Sequence, residues 1–177
     1  MSADITVSAS VVTYNDINRA PATCRSVVEH TKKYPLKLYV IDNASADGTA
    51  DLIEKSVDST VIRQGSNLGF GAAHNTVLKE PLGKYHFVVN PDITLNSDVI
   101  ADMVDYFENN PDVVMAMPKI LNCDGSEQKL PKERPTFKRL FLGSYQIKYA
   151  VNMFGQTKYN RTLRYKLLQR LFLLYKV

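Results

Sequence analysis

The chain is poor in cysteine. Cys24 and Cys123 are its two thiols, and they stand far apart in 177 residues. Such a pair builds neither a disulfide framework nor a zinc site, and it fits a reducing cytoplasm. No apolar run approaches the ~18 residues that a membrane-spanning helix needs. The N-terminus opens on a strand-like run with no basic stretch before it, so a strand is expected there rather than a secretion signal. No Gly-x-Gly-x-x-Gly follows the first apolar run, which argues against a nicotinamide cofactor, and the absence of Gly-x-x-x-x-Gly-Lys-Ser/Thr argues against a P-loop NTPase. Thr13 to Arg19 holds no Gly and no Lys, against the Gly- and Lys-rich loop that a nucleotidyltransferase on a similar sheet would place there. There is no internal repeat, low-complexity segment or nucleic-acid-binding motif, so nucleic acid is not expected as a partner.

What is present is ordinary for a soluble globular protein: 45% hydrophobic and 23% charged residues. The net charge of +4 hides an asymmetry. Residues 1–131 carry 11 Lys/Arg against 17 Asp/Glu, whereas residues 132–177 carry 11 Lys/Arg against Glu133 alone. The expected organisation is therefore an acidic domain over 1–135 and a basic segment over 136–177.

The stretch His86-Phe87-Val88-Val89-Asn90-Pro91-Asp92-Ile93 reads as a buried strand running into a carboxylate. Its apolar run is too short for a helix. Pro91 lacks an N–H and stops the ladder, leaving Asp92 just past the strand's C-terminal end. Further strands are expected over 5–12, 37–42, 60–63 and 113–117, with a strand edge and turn at 120–126. Helices are expected over 17–31 with Pro21 in the first turn, over 50–56, from the Asn67–Asn75 loop to about Lys79, and over 97–109 with Ser97 as cap. Alternating strands and helices predict parallel pairing with right-handed crossovers. The fold expected is a doubly wound α/β sheet of nucleotide-binding type, mostly parallel.

Three polar loops follow strands one, two and four: Thr13-Tyr14-Asn15, Asp42-Asn43-Ala44-Ser45 and Asn90-Pro91-Asp92. In a parallel sheet all three emerge at one edge, where open α/β sheets bind ligands. Amides and hydroxyls can read a base and ribose, and a carboxylate can hold a divalent cation against a pyrophosphate. The Gly69/Gly71 loop can bring backbone N–H groups to the same ligand. Singly, an Asx-rich loop after a strand is most often only a turn; the convergence carries the argument.

In order along the chain, Ser10-Val11-Val12-Thr13-Tyr14-Asn15, Val40-Ile41-Asp42-Asn43-Ala44-Ser45-Ala46-Asp47-Gly48-Thr49, Asn67-Leu68-Gly69-Phe70-Gly71-Ala72-Ala73-His74-Asn75 and Val89-Asn90-Pro91-Asp92 resemble the family-2 glycosyltransferases of the GT-A fold. Pro118-Lys119-Ile120-Leu121-Asn122-Cys123-Asp124-Gly125-Ser126, followed by Arg134-Pro135-Thr136, is similar to the bacterial rhamnosyltransferase branch. The resemblance covers roughly residues 5–140. It implies that Thr13, Tyr14 and Asn15 line a base pocket, and that Asp42 and Asn43 hold base or ribose. Asn67, Gly69 and Asn75 would shape the sugar-diphosphate pocket. Asn90-Pro91-Asp92 stands at the family's Asp-x-Asp metal motif, with Asn90 replacing the first aspartate, so Asp92 carries the Mg²⁺ or Mn²⁺ role alone.

An inverting transferase also needs a general base. The family places it in an acidic segment well after the metal motif, and Glu127 and Glu133 do not resemble that segment. His30, His74 and His86 qualify by chemistry alone, and a lone histidine is more often structural. The chain is therefore expected to be a donor-binding, N-terminal part of a longer enzyme, with the catalytic base outside it. Two rival readings are a non-catalytic nucleotide-sugar-binding module that works with a partner, and the nucleotidyltransferase disfavoured above. From Thr162 onward, leucines at helical spacing interleave with Arg164, Lys166, Arg170 and Lys176, which reads as a basic amphipathic helix. It suits the anionic cytoplasmic face of a membrane, or a surface on an absent half. The expected partners are a nucleotide-sugar donor and a glycan or lipid-linked acceptor, with a homo-oligomer left open.

Overall fold

The computed structural model describes residues 7–122, 124–126 and 173–176. The chain divides into two compact units, Met1–Pro118 with Leu171–Val177, and Lys119–Arg170. In the first unit the elements run β1 (Val7–Thr13), α1 (Ala20–His30), β2 (Leu36–Asp42), α2 (Thr49–Ser56), β3 (Thr60–Arg63), α3 (Phe70–Thr76) with a 3-10 turn at Val77–Lys79, β4 (Tyr85–Val89), α4 (Val99–Asn109), β5 (Met115–Ala116) and β6 (Leu173–Lys176). The sheet order is β3-β2-β1-β4-β6-β5. The first four of these strands are mutually parallel, while β6 pairs antiparallel with both β4 and β5. The expected α/β, mostly parallel sheet is the observed one.

The central strand β1 is buried along its whole length. Its alternate side chains therefore serve two cores, as the period of two demands. Val7, Ala9 and Val11 join Leu38, Val40, Phe87 and Val89 beneath α1, α2 and α4, which contribute Val27, Ile53, Ile100, Val104 and Phe107. Val12, Tyr39 and Ile41 pack on the other side against Ala73 and Val77. Helices thus cover both faces, which is what makes the sheet doubly wound. Each large apolar side chain so buried contributes about 1.5–3 kcal/mol.

The boundaries differ from the sequence expectation in three places. Helix α4 is capped by Asp98, not Ser97: the Asp98 carboxylate accepts from the Ala101 N–H at 3.0 Å. It also accepts from the N–H groups of Lys32 and Lys33, so one side chain ends α1's exit loop and starts α4. That double use was invisible to a local capping pattern. The expected fifth strand shrinks to Met115–Ala116.

The third difference lies in the basic segment. Leu173–Lys176 form β6, a strand and not the end of a helix. The reason is tertiary: β4 would otherwise present a row of unpaired N–H and C=O groups at a sheet edge, and pairing Phe87 with Leu174 supplies partners. The rest of the expected helix over 162–172, and Glu127 and Glu133, lie outside the described residues. In the second unit, the turn expected at 120–126 is present: the Asn122 N–H donates to the Ser126 carbonyl at 2.8 Å and the Gly125 N–H to the Asn122 carbonyl at 2.9 Å.

Candidate donor site at the carboxyl ends of the strands

Parallel pairing places Thr13 beside Asp42 at the ends of β1 and β2, and Val11 beside Val89. Asn90 therefore follows immediately on the neighbouring strand. These three residues are buried. Each holds a side-chain oxygen without a hydrogen-bond partner: Thr13 Oγ1, Asp42 Oδ1 and Asn90 Oδ1. The second Asp42 oxygen accepts from the Ser45 N–H at 3.0 Å. Buried polar atoms are nearly always satisfied, so three orphans on three adjacent strand ends set this edge of the sheet apart.

At Thr13 opens a cavity of about 350 Å³ lined also by Tyr14, Asn43, Asn67 and Gly69, together with Val12, Asp16, Arg19, Phe70 and Pro91. That volume lies within the range of small-molecule sites. Five of the residues picked from the sequence thus come together. Asn43 ties two of the loops: its amide oxygen accepts from the Leu68 N–H, and its backbone N–H donates to the Thr13 carbonyl at 2.9 Å. The Asn67 side chain accepts from the Gly69 N–H at 2.9 Å. Gly69 has φ +76° and ψ 167°, a conformation essentially reserved for glycine, so the chain turns sharply there before α3.

Asn15 takes part in a clasp between two loops. Its φ is +48°, and its amide oxygen accepts from the Ala46 N–H at 2.8 Å while its own N–H donates to Ser45 Oγ. Asp47 and Thr49 complete this clasp between the β1–α1 and β2–α2 loops. The Ile17 N–H donates to Asp47 Oδ2, the Thr49 hydroxyl to Asp47 Oδ1, and the Asp16 N–H to Thr49 Oγ1. The hydroxyl of Thr49, more than any other group, holds the Asp47 carboxyl below its ordinary range. Asn15, Asn75, Asp42, Asn90 and Asp92 are not among the cavity's lining residues. Asn75 is exposed on α3, and Asp92 is exposed in the turn after β4.

Asp16 and Arg19 were not singled out from the sequence. They form an ion pair, with Arg19 Nε donating to Asp16 Oδ1 at 2.9 Å, and both line the cavity. Their i,i+3 spacing in the polar loop after strand one was the available signal. A divalent cation at this edge would take the Asp92 carboxylate as its protein ligand. Oxygen ligands this few fit a hard cation that completes its shell with water and phosphate. Among the described residues no three His, Cys, Asp or Glu side chains gather into a preformed cage.

The histidines separate clearly. His86 bridges Ser8 (Nδ1, 2.8 Å) and Ser10 (Nε2, 2.9 Å), and Ser10 Oγ reaches His74 Nδ1 at 2.9 Å. The Gly83 N–H donates to Ser8 Oγ, so the two serine hydroxyls and the two rings form one buried hydrogen-bonded chain. His74 Nε2, at its end, is a buried atom without a partner among the described residues. The His74 ring meets Phe70 edge-on, with centroids 4.4 Å apart, behind the cavity wall. Burial pushes both histidines down to about 4, and the proximity of His86 adds to the effect on His74. Both are neutral structural groups at pH 7. Burial likewise pushes the Cys24 thiol up to about 12, so it is an inert core residue.

A sequence profile of the family described as "Glycosyl transferase family 2" matches residues 8–172. No curated protein sequence matches the chain. Among solved structures, S. aureus TarS 1-349 superposes with a TM-score of 0.60 at 22% identity, over 71% of this chain and 38% of that one. TarS 1-349 in complex with UDP-GlcNAc gives the same TM-score and identity, over 71% and 37%. The mannosyltransferase PcManGT from Pyrobaculum calidifontis, in complex with GDP-Man and Mn²⁺, gives 0.58 at 22% identity, over 67% and 37%. At these identities the likeness is one of fold, the GT-A type of α/β sheet. The chain spans less than two fifths of the length of these structures.

Proposed function

The chain belongs to glycosyl transferase family 2, and from that footing we propose that it seats the nucleoside diphosphate of a nucleotide-sugar at the carboxyl edge of its sheet. There it serves the inverting transfer of a sugar to a growing surface polysaccharide or a lipid-linked glycan. The observation that carries this reading is the set of three unsatisfied buried oxygens, Thr13 Oγ1, Asp42 Oδ1 and Asn90 Oδ1, with a cavity of nucleotide-compatible size opening at Thr13. Acceptors grouped in this way suit the N–H of a base and the hydroxyls of a ribose. Tyr14, half exposed at the cavity, offers a ring for the base to stack on.

The finer identity of the donor, a rhamnose on dTDP or UDP, rests on the Pro118–Ser126 and Arg134–Thr136 segments. Asp92 would hold Mg²⁺ or Mn²⁺. When bound, that cation offsets the charge of the departing diphosphate. Around it this chain's own groups bind and orient: Asn67 and Gly69 shape the phosphate-side wall, and Asn43 locks that wall to the end of β1. Asp16 is committed to Arg19 and the buried histidines are committed to serines, so the general base is sought in a group other than these. Among the described residues no helix is long and apolar enough to cross a membrane. We place the chain in the cytoplasm, peripheral to the membrane through its basic segment.

Titration calorimetry with UDP, dTDP and GDP tests the donor site. Binding of one of them in the micromolar range, weakened at least tenfold by Asp42→Ala, supports it. No binding by any of the three, in Mg²⁺, Mn²⁺ or chelator, refutes it.

A further inference from the structure

Arg19 is the one cation among the residues that line the cavity, and the way it is held differs from every other ion pair described. Lys33, Arg63 and Lys84 spend their terminal nitrogens on carboxylates: Nζ on Asp105, Nη2 on Asp51 and Glu54, and Nζ on Glu108. Arg19 is gripped by its inner nitrogen. Nε donates to Asp16 Oδ1 at 2.9 Å, and among the described residues Nη1 and Nη2 have no hydrogen-bond partner. The grip is firm. Asp16 is itself buried, its N–H donates to Thr49 Oγ1, and its carbonyl accepts from the N–H groups of Arg19 and Ala20. A guanidinium fixed at Nε presents its two terminal nitrogens as a pre-oriented fork, the geometry that takes two phosphate oxygens at once. The field of Asp92 also acts on Arg19, which puts the cation and the single metal-motif carboxylate in one neighbourhood.

We propose that Arg19 is a diphosphate-binding residue of the donor site, its Nη fork donating to oxygens of the terminal phosphate of the bound nucleoside diphosphate. This rests on the donor-site reading above and deepens it. The chemical logic follows from Asn90. With one carboxylate missing from the metal motif, a divalent cation has a weaker seat, while the diphosphate brings the same negative charge. A permanently charged guanidinium at the cavity mouth supplies part of the compensation. The site therefore retains a preference for diphosphate over monophosphate when divalent cations are removed.

The experiment uses the full chain and the nucleoside it binds tightest among uridine, thymidine and guanosine, titrated as diphosphate and as monophosphate in chelator. The wild type is expected to bind the diphosphate about tenfold tighter or more, as for a hydrogen bond to a charged group. Arg19→Gln should bring the two ligands to near-equal affinity, with a far-ultraviolet circular dichroism spectrum that reports a folded chain. Arg19→Lys, a point charge without the fork, should retain part of the preference. A full diphosphate preference in both variants overturns the role of Arg19 and leaves the donor site standing. Failure of the wild type to bind any of the six ligands overturns both.

Discussion

Acidification should weaken this domain in a window set by His74 and His86. Both rings are buried and neutral, with pKa values pushed down to about 4 from an ordinary 6.5. A base with a depressed native pKa leaves the folded state with fewer protons than the unfolded chain between those two values. Stability is then complete above pH 6.5 and is lost progressively as pH falls towards 4. Between pH 7 and pH 5 each such histidine removes about 2 kcal/mol, and the pair about 4 kcal/mol. That is a large part of the ~5–15 kcal/mol available to a domain. The carboxylates with lowered values, Asp47, Asp98, Asp105 and Asp124, act in a separate window. Their stabilisation is present above their ordinary 3.8 and declines only below about pH 5. Urea unfolding followed by circular dichroism at pH 7, 6 and 5 isolates the histidine contribution. His74→Gln should reduce the slope by about half. A loss smaller than about 1 kcal/mol between pH 7 and pH 5 would refute the picture of two buried neutral rings sharing Ser10.

Three further outcomes are expected. Asp92→Asn should abolish any Mg²⁺ or Mn²⁺ enhancement of nucleoside diphosphate binding in calorimetry, with unchanged melting, because Asp92 is exposed; a retained enhancement would remove its metal role. Ala44 sits at φ +65°, a strain of about 1–2 kcal/mol for a residue with a Cβ. Glycine there gives back about 0.4–1 kcal/mol through the unfolded chain, so Ala44→Gly should stabilise by roughly 0.5–1 kcal/mol in chemical denaturation. Thr49→Val removes the hydroxyl that holds both Asp47 and the Asp16 N–H. It should cost about 1–3 kcal/mol and weaken nucleotide binding by loosening the Asp16–Arg19 side of the cavity.

Much of this protein was readable without coordinates, because its information is local. The β-branched runs that became β1, β2 and β4, the Pro91 stop after β4, and the Asn67–Gly69 turn follow from steric rules acting on a few neighbouring residues. Parallel pairing follows from the alternation of strands and helices. It gathers Thr13, Asp42 and Asn90 at one edge before any side chain is placed. What tertiary structure alone decided is which of those polar groups are still free. Asn15 and Asn43 read alike in the sequence as loop amides. In the fold, the amide oxygen of Asn15 goes to Ala46 in a loop-to-loop clasp, while Asn43 lines the cavity. Asp98 rather than Ser97 caps α4 because it also serves the loop after α1, a partner sixty-odd residues away in sequence. His74 and His86 are twelve residues apart and gain their shared Ser10 only when α3 packs on β1 and β4 pairs with β1. Leu173–Lys176 carried helical spacing and became a strand, since an unpaired sheet edge is a long-range demand that no local periodicity records. Hydrogen-bond satisfaction is settled by partners distant in sequence, and it is what separates the groups left for a ligand from those spent on the fold.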